Sequence, residues 1–309
     1  MDAMTDDDRA FFLAPGPMTT LPPDTPVMAG ADQARAAVQG ILVHAYWLWA
    51  YGITDDRPAE RQLRSVQAIL QRAQELSDEP VGIQREPENR VQVTCRDFTV
   101  LYVALLRAAG IPARARCGFA AYFTSDTWED HWVAERWDGK RWVRDDAQLD
   151  EVQLAALHAT FDPHDLPEGQ FLTGGEVWQK VRSGEIAAGT CGIGDLRGDW
   201  FVAGNVLRDA AAFTGIELLP WDSWGVLTTN EPGRPDVALY DEVAHLTGTE
   251  AVAELRERFA ADPRLTIPRR VTSYVDGVPC DIDLGGKEAG RHSALARDVV
   301  AISPYTASR

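Results

Sequence analysis

The sequence predicts an α+β fold on three observations. Apolar residues recur at helical spacing over 31–50 and again over 57–76. Residues 94–109 are apolar nearly all round, as befits a helix at the centre of a fold. Beyond them the period falls from 3.6 to 2, and Asp138-Gly139 between two aromatic-rich runs signals a hairpin. Helices followed by antiparallel strands is the order of segregated layers.

Taken in turn, residues 1–30 carry "LAPGPMTTLPPDTP", rich in Pro, Asp and Thr without apolar period, and read as an extended surface arm. Two packing helices follow, over Ala31–Ala50 and Arg57–Leu76, the second marked by Leu63, Val66, Leu70 and Leu76. "SDEPVGIQREPENR" is a charged connector into the central helix, Thr94–Ala109, which carries Phe98, Leu101, Val103, Leu105 and Leu106. Gly110 and Pro112 end it, the first suited to a C′ position and the second unable to continue a helix. "ARARCGFAA" then alternates Arg114 and Arg116 with Ala115, Cys117 and Phe119, and "HWVAERW" and "RWVRDD" form the hairpin arms. After Asp150, helices are expected near 175–182, 205–214, 236–246 and 251–261, with a second hairpin at Asp276-Gly277. The expected organisation is an arm (1–30), a core (31–150) and a mixed extension (151–309) packed on it as one unit.

Lys and Arg number 30 against 47 Asp and Glu, a net charge of −17, which repels nucleic acid and anionic membrane surfaces. The acidic start "MDAMTDDDRA" lacks the basic and apolar regions of a secretory signal. No run reaches the about 18 apolar residues of a membrane span. The longest, "ILVHAYWLWAYGI", is shorter and carries His44. Cys95, Cys117, Cys191 and Cys280 are spread without a CxxC pair, so free thiols in a reducing cytoplasm are expected, without a zinc site.

Cys95 stands apart from the other thiols. Thr94 can cap the central helix with Asp97 three positions on, which makes Cys95 its first residue. There, unpaired N–H groups and the positive end of the helix dipole favour the thiolate. They can also help to hold an oxyanion. For an arbitrary cysteine, burial as a small apolar side chain is the default, and the other three keep that reading. A nucleophile also needs a base. If Asp138-Gly139 is a two-residue loop, Trp137 faces Lys140, and that register carries back to His131 opposite Asp146, with Cβ atoms roughly 4.5–5.5 Å apart. Asp145 would oppose Trp132 on the other face. Cys95, His131 and Asp146 then supply nucleophile, base and orienting carboxylate for thiol acyl transfer.

The stretches "CRDFTVLYVALLRAAGIPARARCGF" and "DHWVAERWDGKRWVRDDAQLD" resemble the core of the transglutaminase-like superfamily of cysteine enzymes. The resemblance covers roughly residues 60–150, and along more of its length the chain is similar to uncharacterised bacterial transglutaminase-domain proteins. It implies a transglutaminase-like, papain-like core with a Cys-bearing helix packed on an antiparallel sheet. Residue by residue, Cys95 matches the nucleophile, His131 the strand histidine and Asp146 the aspartate of the next strand. Trp132 follows His131 directly where the family has Ala-Trp, and Ala147 replaces a proline after the aspartate. The superfamily includes cross-linking transglutaminases, amide hydrolases, proteases and peptide N-glycanases, so membership speaks to chemistry more than to substrate. The expected function is acyl transfer or hydrolysis at an amide of a peptide, protein or small molecule through a Cys95 thioester. The alternative is a non-catalytic interaction module that keeps the fold, against which the intact trio argues.

Other candidates take plainer readings. Gln92 is placed as an oxyanion donor only by analogy with thiol proteases; otherwise it is a loop residue facing water. Arg96, Arg114 and Arg116 could greet an anionic substrate, but alternation assigns Arg114 and Arg116 to a solvent face. Trp200, Trp221 and Trp224 read as core before cleft. His158, His164, Asp162 and Asp165 fit no ligand spacing. No metal or cofactor is implied, and no calcium loop of the DxDxDG kind occurs.

Overall fold

A computed structural model describes residues 4–229, 236–275 and 277–285. The fold is α+β, and its chain divides into two compact units. The first runs from the N-terminus to Arg116 and adds Trp132–Pro167 and Gly215–Glu217; the second comprises Cys117–His131, Glu168–Thr214 and the chain from Leu218 onward.

The first unit opens with α1 (Asp6–Leu13), capped by the Thr5 hydroxyl, which accepts from the Asp8 N–H, with three aspartates in its first turn. Its Phe12 is buried edge-on against Trp142, ring centroids 5.1 Å apart. The expected extended arm is therefore helical over this stretch, because capping and one buried aromatic outweigh its polar composition. α2 (Ala31–Ile41) stops well short of Ala50. The chain continues as β1 (Leu42–His44), parallel to 91–93, then a 3-10 turn at Leu48–Tyr51. The apolar run there serves a buried strand, which periodicity alone cannot separate from a buried helix. Over 57–76 a 3-10 turn at Pro58–Gln62 precedes α3 (Val66–Leu76), whose N-cap Ser65 Oγ accepts from the Ala68 N–H at 3.2 Å.

β2 (Val91–Val93) pairs Leu42↔Val91 through His44↔Val93 and feeds α4 (Cys95–Ala108). Every residue of α4 from Cys95 to Arg107 is buried, as its all-round apolar pattern predicts, and α1, α2 and α3 pack against it. Gly110, at φ +75°, takes the left-handed turn that ends it.

β3 (Ala113–Ala120), β4 (Trp128–Trp137) and β5 (Trp142–Asp145) follow, adjacent in that order. All eight residues of β3 are buried, Arg114 and Arg116 included, which corrects the solvent reading of those arginines. Both guanidiniums meet the buried Glu135, Arg114 Nε at 2.7 Å and Arg116 Nη1 at 3.0 Å, joined by Arg144 Nε at 3.1 Å. Burial would raise the Glu135 carboxyl, but three guanidiniums hold it far below the usual carboxylate range.

The β4–β5 hairpin corrects the expected register. Trp137 pairs with Trp142 and Ala134 with Asp145, so the loop holds four residues, 138–141. Asp138 Oδ1 accepts from the N–H groups of Lys140 (2.7 Å) and Arg141 (2.8 Å), and this side-chain turn favours the longer loop over a two-residue one. α5 (Glu151–Leu157), capped by Asp150, closes the segment.

In the second unit, β6 (Phe171–Thr173) runs antiparallel to the end of β3, Gly118 opposite Thr173. A Cβ on Gly118 would lie 2.0 Å from the Leu172 carbonyl oxygen, so only glycine allows this approach. α6 (Gly174–Ser183) starts at a Thr173/Glu176 capping box. β7 (Cys191–Ile193) is parallel to the start of β4, Trp128 opposite Cys191, and β8 (Leu196–Arg197) returns antiparallel. α7 (Asp199–Phe213) is buried over nearly its whole length and packs on α6. β9 (Asp222–Ser223), α8 (Val237–Gly248), α9 (Val252–Ala261), β10 (Arg270–Val275) and β11 (Val278–Asp283) complete the unit. The expected helices after 150 are all present. Val275 pairs with Val278, and Gly277 takes φ +77°; Asp276 of the expected Asp276-Gly277 hairpin lies outside the described residues. Trp224 is core, its indole N–H donating to the Leu265 carbonyl at 3.0 Å.

Candidate active site

The start of α4 is fixed from both sides. The Val93 carbonyl at the end of β2 accepts from the Ala45 N–H at 2.8 Å. Thr94 is extended, and the Asp97 carboxylate reaches back to accept from its N–H (3.0 Å) and its hydroxyl (3.1 Å). Arg96 Nη1 donates to the other Asp97 oxygen at 2.9 Å, and its Nη2 to the Glu217 carbonyl. Arg96 is thus an internal strut with no exposed surface, and the reading as a substrate-facing cation does not apply. Burial pushes the Asp97 carboxyl up, against the pull of Arg96 and the Thr94 donors.

Cys95 takes the first helical position, as the capping pattern predicts, and is 8% exposed. The Thr99 hydroxyl donates to its carbonyl at 3.0 Å, which stiffens the first turn. The positive end of the helix dipole lies beside the sulfur, and within this first turn the Asp97 N–H donates to the Thr94 carbonyl at 3.0 Å.

His131 lies within β4 in the second unit, buried against the edges of Phe123 (centroids 4.9 Å) and Tyr122 (5.8 Å). The preceding Asp130 accepts from Asn205 Nδ2 of α7 at 2.7 Å, and burial pushes its carboxyl up. Asp146 belongs to the first unit with Cys95 and follows directly on β5. It is buried, its Oδ1 accepts from the Gln148 N–H at 3.0 Å, and its N–H donates to the Pro163 carbonyl at 2.8 Å. The expected direct His131–Asp146 opposition is replaced, because the four-residue loop moves the register by two and the ladder ends at Asp145. A shift of two keeps each residue on its original face of a strand.

The neighbouring carboxylates differ in a way the sequence did not reveal. Asp145 opposes Ala134, not Trp132, and is saturated by Arg35, Tyr102 and Arg136. Arg35 and Arg136 sit far from each other in sequence, so no local pattern announces the cluster. A second histidine, His44, is buried opposite Val93; its Nδ1 accepts from the Tyr46 N–H at 3.3 Å and its ring stacks 6.5 Å from Phe98 of α4.

Gln92 is fully buried, which corrects the water-facing reading. Its Oε1 accepts from the Arg57 N–H at 2.7 Å and its Nε2 donates to the Asp55 carbonyl at 2.7 Å, so the amide fastens loop 55–57. None of the four cysteines is in a disulfide; Cys117 and Cys191 are buried and Cys280 is partly exposed. His164 Nδ1 lies 3.4 Å from Asp145. Among the described residues no cluster of three or more His, Cys, Asp or Glu could hold a metal, and no helix is long and apolar enough to cross a membrane.

Residues 59–147 match the family model of the transglutaminase-like superfamily, a segment that contains Cys95, His131 and Asp146. No curated protein matches the chain. Among solved structures, a candidate cysteine protease from Cytophaga hutchinsonii is 18% identical over 55% of this chain and 46% of its own, with a TM-score of 0.24. The chain thus spans less than half the length of that protein.

Proposed function

We propose that this chain, which belongs to the transglutaminase-like superfamily through residues 59–147, is a thiol enzyme that transfers or hydrolyses an acyl group at an amide. The Cys95 thiolate attacks the carbonyl carbon of a peptide, protein or small-molecule amide, and the first-turn N–H groups of α4 help to hold the oxyanion. His131 donates its proton to the departing amine, leaving a Cys95 thioester. Water or an incoming amine then attacks the thioester, giving up a proton to His131, and the thiolate is regenerated. Asp146 selects the imidazole tautomer and stabilises the imidazolium.

The observation that carries this reading is the placement of Cys95. A thiol opens a capped 14-residue helix inside the segment that matches the superfamily. Access alone would make Cys280 the most reactive cysteine, since it is the most exposed of the four. Iodoacetamide labelling at pH 7, resolved by mass spectrometry, is expected to modify Cys95 first. Labelling that follows exposure contradicts the proposal. A screen of glutamine amides, peptides and isopeptides, with and without an amine acceptor, separates hydrolysis from transfer.

A further inference from the structure

Asp145 is buried completely, yet it gathers side chains from α2, α4, β4 and the loop after α5. Arg35 of α2 donates Nε to Oδ1 at 3.2 Å and Nη2 to Oδ2 at 2.8 Å. Tyr102 of α4 donates its hydroxyl to Oδ2 at 2.8 Å, and Arg136 of β4 donates Nε to Oδ2 at 2.8 Å. His164 Nδ1 stands 3.4 Å from Oδ1. Arg35 is itself steadied by Asp32, and Arg136 Nη2 donates to the His164 carbonyl at 3.2 Å.

Two sequence relations connect this hub to the chemistry. Tyr102 follows Cys95 by seven residues, two helical turns, so both side chains leave the same face of α4. Asp146 is the residue next to Asp145. One buried carboxylate therefore ties the helix that carries Cys95 to the stretch of chain that carries Asp146, inside a single unit. Buried ionic clusters are poor sources of stability, since apolar replacements of similar volume are often neutral or better. Spending four donors on one carboxylate fits a requirement for fixed geometry.

We propose that Asp145, acting with Tyr102, is a positioning group that sets the rotation of α4 relative to Asp146. It rests on the reading of Cys95 and Asp146 as reacting and orienting groups. Neither Asp145 nor Tyr102 touches substrate; both act through the placement of their neighbours, where a misplacement of about 1 Å is enough to cost on the order of 100-fold in rate.

The test is the pH profile of Cys95 alkylation by iodoacetamide, followed cysteine by cysteine in the full-length wild type, Tyr102→Phe and Asp145→Asn. Tyr102→Phe removes one hydroxyl and no charge. It is expected to move the Cys95 profile to higher pH and slow labelling at pH 7 by about tenfold, with Cys280 labelling unchanged. Asp145→Asn is expected to shift further in the same direction. If Asp145→Asn fails to fold, Tyr102→Phe decides. A merely structural role lowers Tm and leaves the profile where it is, so a folded Tyr102→Phe protein with the wild-type profile overturns the proposal. A wild-type Cys95 no faster than Cys280 is a different failure: it removes the acyl-transfer reading itself, and the positioning role with it.

Discussion

Cys95 and Asp146 show how much one position can decide. Asp146 accepts from the Gln148 N–H through one carboxylate oxygen, and an amide oxygen can keep that bond. Asp146→Asn should therefore fold with a Tm close to wild type while losing roughly 10³–10⁴-fold in turnover, by analogy with triads whose orienting carboxylate is neutralised. Paired Tm and kcat measurements check this; equal turnover would remove Asp146 from the mechanism. Cys95 was legible because a cap is written locally: Thr94 and Asp97 are within three residues, and the structure uses both. Arg114 and Arg116 depart from their local pattern for the converse reason. Alternation implies a wet face only if that face lacks a buried counter-charge, and Glu135 lies about twenty residues away.

Turns and strand pairing show where elements depart from local pattern. The helical period before Ala50 gives way at Leu42 because 42–44 pair with 91–93, a distant partner that no window contains. The hairpin lies where Asp138-Gly139 announces it, but its register is set by Asp138 bonding two N–H groups beyond itself, which lengthens the loop. Register decides which aspartate ends the β5 ladder, and that residue, Asp145, carries a stability prediction. Burial would raise its carboxyl, but His164, Arg35 and Arg136 bring it down to about 2 from 3.8. A carboxyl depressed on folding stabilises above its unfolded pKa, and that contribution disappears as pH falls through the folded value. About 2 kcal/mol should thus be present near pH 6 and drain away between about pH 4 and pH 2. Denaturant titrations of wild type and Asp145→Asn check this: the stability gap between them should narrow over that window, and a gap independent of pH would contradict it.

At the scale of the molecule, the order of the chain and the order of the fold differ. The superfamily match ends at 147, yet His131 belongs to the unit completed by residues from 168 onward. Within that unit β6 pairs with the end of β3 and β7 with the start of β4. A chain ending at Asp150 would lack both flanking strands. It is expected to lose cooperative unfolding by circular dichroism, whereas a cooperative transition at the full-length Tm would show that residues 1–150 stand alone. The class of the fold was legible because α4 and the hairpin follow each other closely. The interleaving was not, because strands joined across 50 or more residues leave no periodic trace.

The central claim is that Cys95 is an activated nucleophile, and its alkylation kinetics test it most directly. Competitive labelling at pH 7 should modify Cys95 at least tenfold faster than Cys280 although Cys95 is the more buried, and Cys95→Ala should abolish the fast phase. Labelling in the order of exposure, with Cys280 first and Cys95 as slow as Cys117 and Cys191, would contradict it.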